Sequence, residues 1–231
     1  MSERSFVRVG GLAGVLLAIT SWASVAVYYT LVPAAQRAPI NDFGAYVASL
    51  TANRVGSSLF YGLYALLAFF ALLGILAAYQ RVRVADEAWA FAATVIGSIA
   101  AVGTILAGLE QVSRFDETAR LSGAGNAAAA VIAVQAPSAI NPYGLMTFGL
   151  TAFWFIIEAG LLWRIHVPRL LPILAVVAFL DLAVGFVATL AGSAPIALLA
   201  GVIAGGVGGP IFWLWFGYLL LRDADLMSAQ E

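Results

Sequence analysis

The sequence predicts an all-α bundle of six transmembrane helices forming a single domain over residues 1–231. Of its 231 residues, 63% are hydrophobic and 10% are charged, and the mean hydropathy is +0.98. A helix rises about 1.5 Å per residue, so about 20 apolar residues cross the roughly 30 Å hydrocarbon core of a bilayer. Six apolar runs have about this length: Val9–Leu31, Ser57–Ala78, Ala88–Leu109, Gly144–Trp163, Leu170–Ala191 and Pro195–Leu221.

The composition excludes several classes of function. A net charge of −1 excludes a strongly basic surface for nucleic acid. Cysteine is absent, which excludes disulfides and Cys-ligated metal. Lysine is absent too, so no Schiff-base retinal can form, and the single histidine, His166, cannot make a bis-His haem site. The cofactor, if the protein has one, remains unknown.

The distribution of arginine predicts the orientation. Excess arginine in short loops marks the cytoplasmic face of a membrane protein. Seven arginines flank one set of span ends: Arg4, Arg8, Arg81, Arg83, Arg164, Arg169 and Arg222. Four are spread over the other side: Arg37, Arg54, Arg114 and Arg120. We therefore expect both termini to be cytoplasmic, in agreement with an even number of spans.

We expect the first span to be retained rather than cleaved as a signal peptide, because its apolar stretch runs to Leu31, beyond the length of a signal sequence. The long connection Val32–Gly56 leads to a tight hairpin of spans two and three. Glu110–Arg114 and Asp116–Arg120 have the i,i+4 spacing of helical ion pairs, which extends span three past the membrane as a solvated helix.

The second long connection, Glu110–Tyr143, contains an apolar run at Ala127–Val134. This run is too short to cross the bilayer, so residues 124–136 are either interfacial or re-entrant. Asn141-Pro142 then opens span four. Pro168 lies in the short turn to span five, where it halts one helix and favours the start of the next.

Span six combines a glycine face with a break. Gly201, Gly205 and Gly209 recur every four residues, a pattern that permits close approach of another helix backbone. Pro210 lacks a backbone donor and predicts a break or kink there. Two readings stay open: tight helix packing, or a broken helix that marks a binding site.

Asp181 lies near the centre of span five, among apolar neighbours. A carboxyl at that depth is costly, so we expect it to face the bundle interior. Its predicted partners are hydroxyls at similar depth on spans one and three, namely Thr20, Ser21 and Ser98. Asp181 is therefore a candidate for a proton relay or a ligand anchor, or else it makes a structural hydrogen bond between helices.

Glu158 is the second carboxyl within a span. It lies about five residues from the cytoplasmic end of span four, so we expect it to reach the interface or to pair with Arg164 or Arg83. It is a further candidate for a proton relay or ligand site.

The outer ends of the spans hold a third group of candidates. They are predicted to form either an outward-facing pocket with an aromatic wall and one carboxylate, or an interfacial belt of aromatic residues. The candidate ligand-binding residues are Tyr28, Tyr61, Tyr64, Tyr143 and Glu110.

One segment carries a resemblance. Span four ends in Leu161-Leu162-Trp163-Arg164, the turn reads Val167-Pro168-Arg169, and Asp181 follows in span five. Over Gly149–Gly192 the chain resembles a group of six-span bacterial membrane proteins catalogued as a domain of unknown function. The resemblance implies a multi-pass protein of the bacterial inner membrane with both termini inside. It implies no activity.

Three functional classes stay open. The favoured one is a non-enzymatic membrane protein that is an accessory subunit of a larger assembly or binds a hydrophobic small molecule. The second is a small proton-linked transporter that uses Asp181. The third is an intramembrane lipid-modifying enzyme, for which Glu110 and Asp42 are the only outer candidates and lack His or Cys companions. The expected partners are the lipid bilayer with either other membrane subunits or a hydrophobic ligand.

Overall fold

The computed structural model describes residues 3–37, 42–136 and 138–228, the last four of these by their backbone alone. Throughout these segments the regular structure is helical. Six helical stretches are long and apolar enough to cross a membrane, which confirms the predicted six-span all-α bundle. The protein is therefore a multi-pass integral membrane protein.

Four spans are single α-helices, three of which follow the predicted boundaries closely, and two contain additional elements. The helices are α1 (Glu3–Thr30), α2 (Ala34–Arg37), α3 (Phe43–Ala52), α4 (Val55–Val82), α5 (Glu87–Gly123), α6 (Ala127–Gln135), α7 (Thr151–Arg164), α8 (Leu170–Leu190), α9 (Ala194–Ile203) and α10 (Gly209–Ser228). Spans one, two and five are α1, α4 and α8. Span three is α5, which extends past Leu109, the end of the predicted apolar run, to Gly123.

Spans four and six are interrupted. Span four starts with a 3-10 turn at Pro142–Gly144 and a π-helix at Leu145–Leu150 before α7. In span six, α9 and α10 are joined by a π-helix at Ala204–Gly208, which is the predicted break before Pro210.

The two ends of the bundle differ in the length of their connections. We call the end with the connections around α2, α3 and α6 the long-loop face, and the opposite end the short-turn face.

The long-loop face is built from short capped helices. Asp42 accepts a hydrogen bond from Ala45 N at the start of α3, and Asn126 accepts one from Ala129 N at the start of α6. The helix α6 is the predicted apolar helix of the second long connection, and it packs along α5 and α3.

One predicted ion pair on this face is wrong. The pair Glu110–Arg114 forms at 2.6 Å. Asp116 instead pairs with Arg54 at 2.6 Å, because α4 begins beside the projecting end of α5. Arg120 is left to pair with Glu117 at 2.7 Å.

A glycine crossing holds α1 against α10 in the half of the bundle near the short-turn face. A Cβ added to Gly14 would lie 2.9 Å from Trp213 O and 3.0 Å from the Cα of Gly217. A Cβ on Gly217 would lie 2.7 Å from Gly11 O. Only glycine permits this approach of two helix backbones.

The predicted packing of Gly201, Gly205 and Gly209 against another helix backbone is wrong. A Cβ on Gly205 would meet nothing within 4 Å, and one on Gly201 would meet only the ring of Phe148 at 3.7 Å. A Cβ on Gly209 would lie 2.6 Å from Ala204 O of the adjoining π-helix. The physical reason is the π-helix itself, which turns this face toward open space.

The short-turn half of the bundle is filled by aromatic rings. Phe212 and Phe216 are fully buried, and Phe212 contacts Phe155 and Trp154 at centroid distances of 5.1 Å and 6.1 Å. These span-six rings therefore form packing surface rather than a lipid-facing wall. Beyond these rings, ion pairs link neighbouring helices at the short-turn face: Arg81–Asp223 at 2.7 Å and Arg83–Glu3 at 2.8 Å.

Candidate functional site

A cavity of about 630 Å³ opens toward the long-loop face and runs into the middle of the bundle. Along α4 its lining extends from Phe60 to Ile75, which at 1.5 Å per residue is a depth of about 20 Å. That is about two thirds of the hydrocarbon core of a bilayer. Its size is typical of small-molecule sites, which occupy about 300–1,000 Å³.

Two stacked indoles form the floor of the cavity. The rings of Trp154 and Trp213 lie parallel, with an angle of 1° between them and centroids 5.2 Å apart. Each ring rests on a glycine: a Cβ on Gly97 would lie 2.6 Å from Trp154 Cδ1, and one on Gly74 would lie 2.5 Å from Trp213 Cζ3. The floor is therefore a large, flat, apolar surface held rigidly by close packing.

The walls are open because they are made of small side chains. Spans two, three and six contribute alanine and glycine at the positions that face one another: Ala68, Ala71, Ala100, Ala101, Gly201 and Gly205. Larger side chains at these positions would fill the space between the helices, as they do in the short-turn half. The cavity thus follows directly from residue size along the helix faces.

The mouth is lined by tyrosines. Tyr28, Tyr61 and Tyr64 line the cavity, which places three of the predicted candidates together. Tyr46 from α3 joins them, and sequence reasoning missed it because α3 lies within a long connection. Burial, together with the neighbouring Tyr61, raises the pKa of Tyr46, so its phenol stays a neutral hydrogen-bond donor.

Two predicted members of this pocket lie elsewhere. Glu110 does not line the cavity: its carboxylate accepts hydrogen bonds from Ser138 and Arg114, both at 2.6 Å. Tyr143 is 66% exposed and has a φ of 53°, because the chain turns outward just before Gly144. The pocket therefore has its aromatic wall without the predicted carboxylate.

The charged group that does line the mouth is Arg37, at the end of α2. Among the described lining residues it alone carries a formal charge at neutral pH. Tyr28 donates a hydrogen bond to its carbonyl at 2.6 Å, and its own Nη1 donates to Tyr29 O at 3.1 Å. Its Nε is buried without a hydrogen-bond partner in the described structure. The sequence signal was slight, since Arg37 resembled any loop arginine.

The predicted hydrogen bond of Asp181 is wrong. Its Oδ2 is buried without a hydrogen-bond partner among the described residues, and so is the hydroxyl of Ser98. The reason is helix adjacency: α8 packs along α7, α9 and α10, whereas Thr20 and Ser21 belong to α1 and Ser98 to α5. Asp181 also does not line the cavity.

The predicted placement of Glu158 is wrong as well. This residue is only 1% exposed, and its Oε1 has no hydrogen-bond partner in the described part of the chain. Arg164 lies 3.5 Å from Asp86, and Arg83 pairs with Glu3, so neither predicted partner reaches it. The α7 face that carries Glu158 is covered by neighbouring helices, which blocks any route to the interface.

The break in span six is tied to α1 beside the cavity. Ser21 donates a hydrogen bond to Gly205 O, and Trp22 Nε1 donates one to Gly206 O at 3.1 Å. A π-helix shifts the register of its backbone hydrogen bonds, which leaves carbonyls available to such side chains. Ser21 and Gly205 both line the cavity, so this tie sets the spacing of α1 and span six at its wall.

Family models, curated proteins and solved structures give no match to this chain. Across the described ranges, no three His, Asp or Glu side chains lie together as a metal site would require. The arrangement offers an apolar shaft, a flat aromatic floor and a polar mouth.

Proposed function

We propose that the protein binds an amphipathic small molecule with a long hydrophobic portion in the cavity that ends on Trp154 and Trp213. The observation that carries the proposal is the change of lining along the shaft, from two indoles and small apolar side chains to tyrosines and Arg37. Binding sites of this kind are mostly apolar, with a few polar groups that fix the orientation of the ligand. The ligand would enter with its apolar end first.

The arginine distribution supports an orientation for the site. With both termini in the cytoplasm, the long-loop face and the mouth of the cavity lie on the outer side of the membrane. The resemblance over Gly149–Gly192 supports placement in a bacterial inner membrane. The ligand would then come from the outer leaflet or from the space beyond it.

The cavity favours ligand binding over a purely accessory role, since a subunit that only fills an assembly needs no shaft of this depth. The geometry gives less support to the alternatives. A proton-linked transporter built on Asp181 would have its titrating group outside the cavity, and Asp42, a candidate for an enzyme, caps α3.

The proposal can be tested with a variant whose new side chain occupies the cavity without disturbing the packing of the helices. Gly205 lines the cavity and a Cβ there meets nothing within 4 Å, so Gly205→Leu extends into the free space. Gly160→Leu is the matched control, because Gly160 is exposed on α7, also has open space at its Cβ and does not line the cavity. Native mass spectrometry of purified protein in a mild detergent counts the hydrophobic molecules retained.

The parent and Gly160→Leu are expected to retain one such molecule per chain, and Gly205→Leu is expected to lose it. Equal retention by all three proteins, or none by the parent after addition of excess hexadecanol or palmitate, would overturn the proposal.

A further inference from the structure

The charge at the mouth of the cavity is unbalanced. Arg37 is the sole formally charged group among the described lining residues, and it has no acidic partner in the described structure. Arg37 is half-buried, with its Nε shielded from solvent, and the partial desolvation of a charge is normally compensated by pairing.

The carboxylates around the mouth bind partners other than Arg37. Glu110 is held by Arg114 and Ser138, and Asp116 is held by Arg54. Asp42 accepts the hydrogen bond of Ala45 N that starts α3. Within the described residues, the side chain of Arg37 therefore makes its hydrogen bond to a backbone carbonyl, that of Tyr29.

The shape of the cavity limits what can reach Arg37 from within. A volume of about 630 Å³ spread over a depth of about 20 Å gives a mean width of about 6 Å. One leaflet contributes about 15 Å of hydrocarbon, so a single extended lipid-type chain fits along the shaft. A molecule with its chain on the indole floor would place its head beside Arg37 and the mouth tyrosines.

We infer that the ligand is a single-chain amphiphile with an acidic head, whose anionic oxygens accept hydrogen bonds from Arg37. This inference rests on the proposed binding function and specifies its ligand class. Guanidinium and an anionic oxygen form short, charge-assisted hydrogen bonds. The phenols of Tyr46 and Tyr61 at the mouth supply further neutral donors. A carboxylate and a phosphate monoester share this head chemistry.

The experiment measures saturable binding of tritiated palmitate to the full chain in phosphatidylcholine nanodiscs. Hexadecyl phosphate, hexadecanol and hexadecyltrimethylammonium serve as competitors of equal chain length. We expect the two anionic amphiphiles to bind about tenfold or more tightly than hexadecanol, because a charge-assisted hydrogen bond contributes this much. Relative competition by palmitate and hexadecyl phosphate then distinguishes the carboxylate from the phosphate head.

Variants assign the effect to Arg37. Arg37→Gln is expected to lower palmitate affinity about tenfold while hexadecanol affinity stays unchanged, and Arg37→Lys is expected to recover part of the loss. Arg120→Gln is the control, since Arg120 is an exposed arginine on the same face that pairs with Glu117 and does not line the cavity.

The outcomes separate the two proposals. Equal competition by hexadecanol and palmitate, or an unchanged palmitate affinity in Arg37→Gln, overturns the acidic-head inference and leaves the binding function in place. Stronger competition by the cationic amphiphile overturns the inference as well. Absence of saturable palmitate binding overturns the inference, and it overturns both proposals when the parent protein also retains no hexadecanol in native mass spectrometry.

Discussion

Replacement of Gly14 by alanine tests the glycine crossing of α1 and α10. The added methyl would lie 2.9 Å from Trp213 O and 3.0 Å from Gly217 Cα, both of which are backbone atoms that cannot turn aside. Overpacking of this kind costs about 1–3 kcal/mol, and the better helix propensity of alanine returns about 0.5–1 kcal/mol. We expect a net loss of about 1–2 kcal/mol, which lowers the unfolding midpoint by about 2–8 °C.

The assay follows the intrinsic tryptophan fluorescence of the protein during thermal unfolding in detergent. This signal does not depend on a thiol-reactive dye, which the cysteine-free chain could not bind. Gly205→Ala is the matched control, because a Cβ there meets nothing within 4 Å, and its midpoint is expected to stay level or to rise by up to about 4 °C from the better helix propensity of alanine. An unchanged midpoint for Gly14→Ala, or equal losses in both variants, would refute the steric argument.

Three further predictions concern topology and the two carboxyls within spans. A single cysteine replacing Ala124 should react with an impermeant maleimide from outside the cell, and one replacing His166 only after lysis; the reverse pattern would invert the orientation. Glu158→Leu should raise the unfolding midpoint, because a buried oxygen without a partner costs about 1–3 kcal/mol; a lower midpoint would reveal a bound water or another partner. Asp181→Leu should leave the midpoint unchanged or raise it for the same reason, and a loss above about 1 kcal/mol would restore a structural role for this carboxyl.

The spans were predictable because lipid imposes a length and a composition on every crossing. The break in span six was predictable from Pro210 and the glycines before it, since proline acts locally on the backbone. The clustering of Tyr28, Tyr61 and Tyr64 followed from their common depth near the same ends of two neighbouring helices.

Helix adjacency was not predictable in the same way. Depth can be counted along a helix, but the identity of the neighbouring helices depends on packing among all six. This is why Asp181 and the hydroxyls at its depth are not brought together, and why Glu158 is sealed by its neighbours rather than reaching the interface.

The glycines of the α1–α10 crossing form a pattern that is visible in the sequence. Gly10, Gly11 and Gly14 form a small-residue face at the start of α1, a pattern of the same kind as the one noted in span six. The sequence alone could not show which of the two glycine faces packs against another helix backbone. The π-helix turns the glycine face of span six away from its neighbours, whereas the glycine face of α1 contacts α10 directly.

The pairing of α1 with α10 has a consequence for biogenesis. Thr30 ends the first span, and Gly209 begins the helix that covers it. Ribosomes add about 5–20 residues per second, so about 10–40 seconds pass before the first span can pack against α10. During that interval lipid or another membrane protein must occupy its glycine face. A nascent chain that stops short of α10 therefore displays an unsatisfied helix surface, by which the quality-control machinery of the membrane can distinguish unfinished molecules from finished ones.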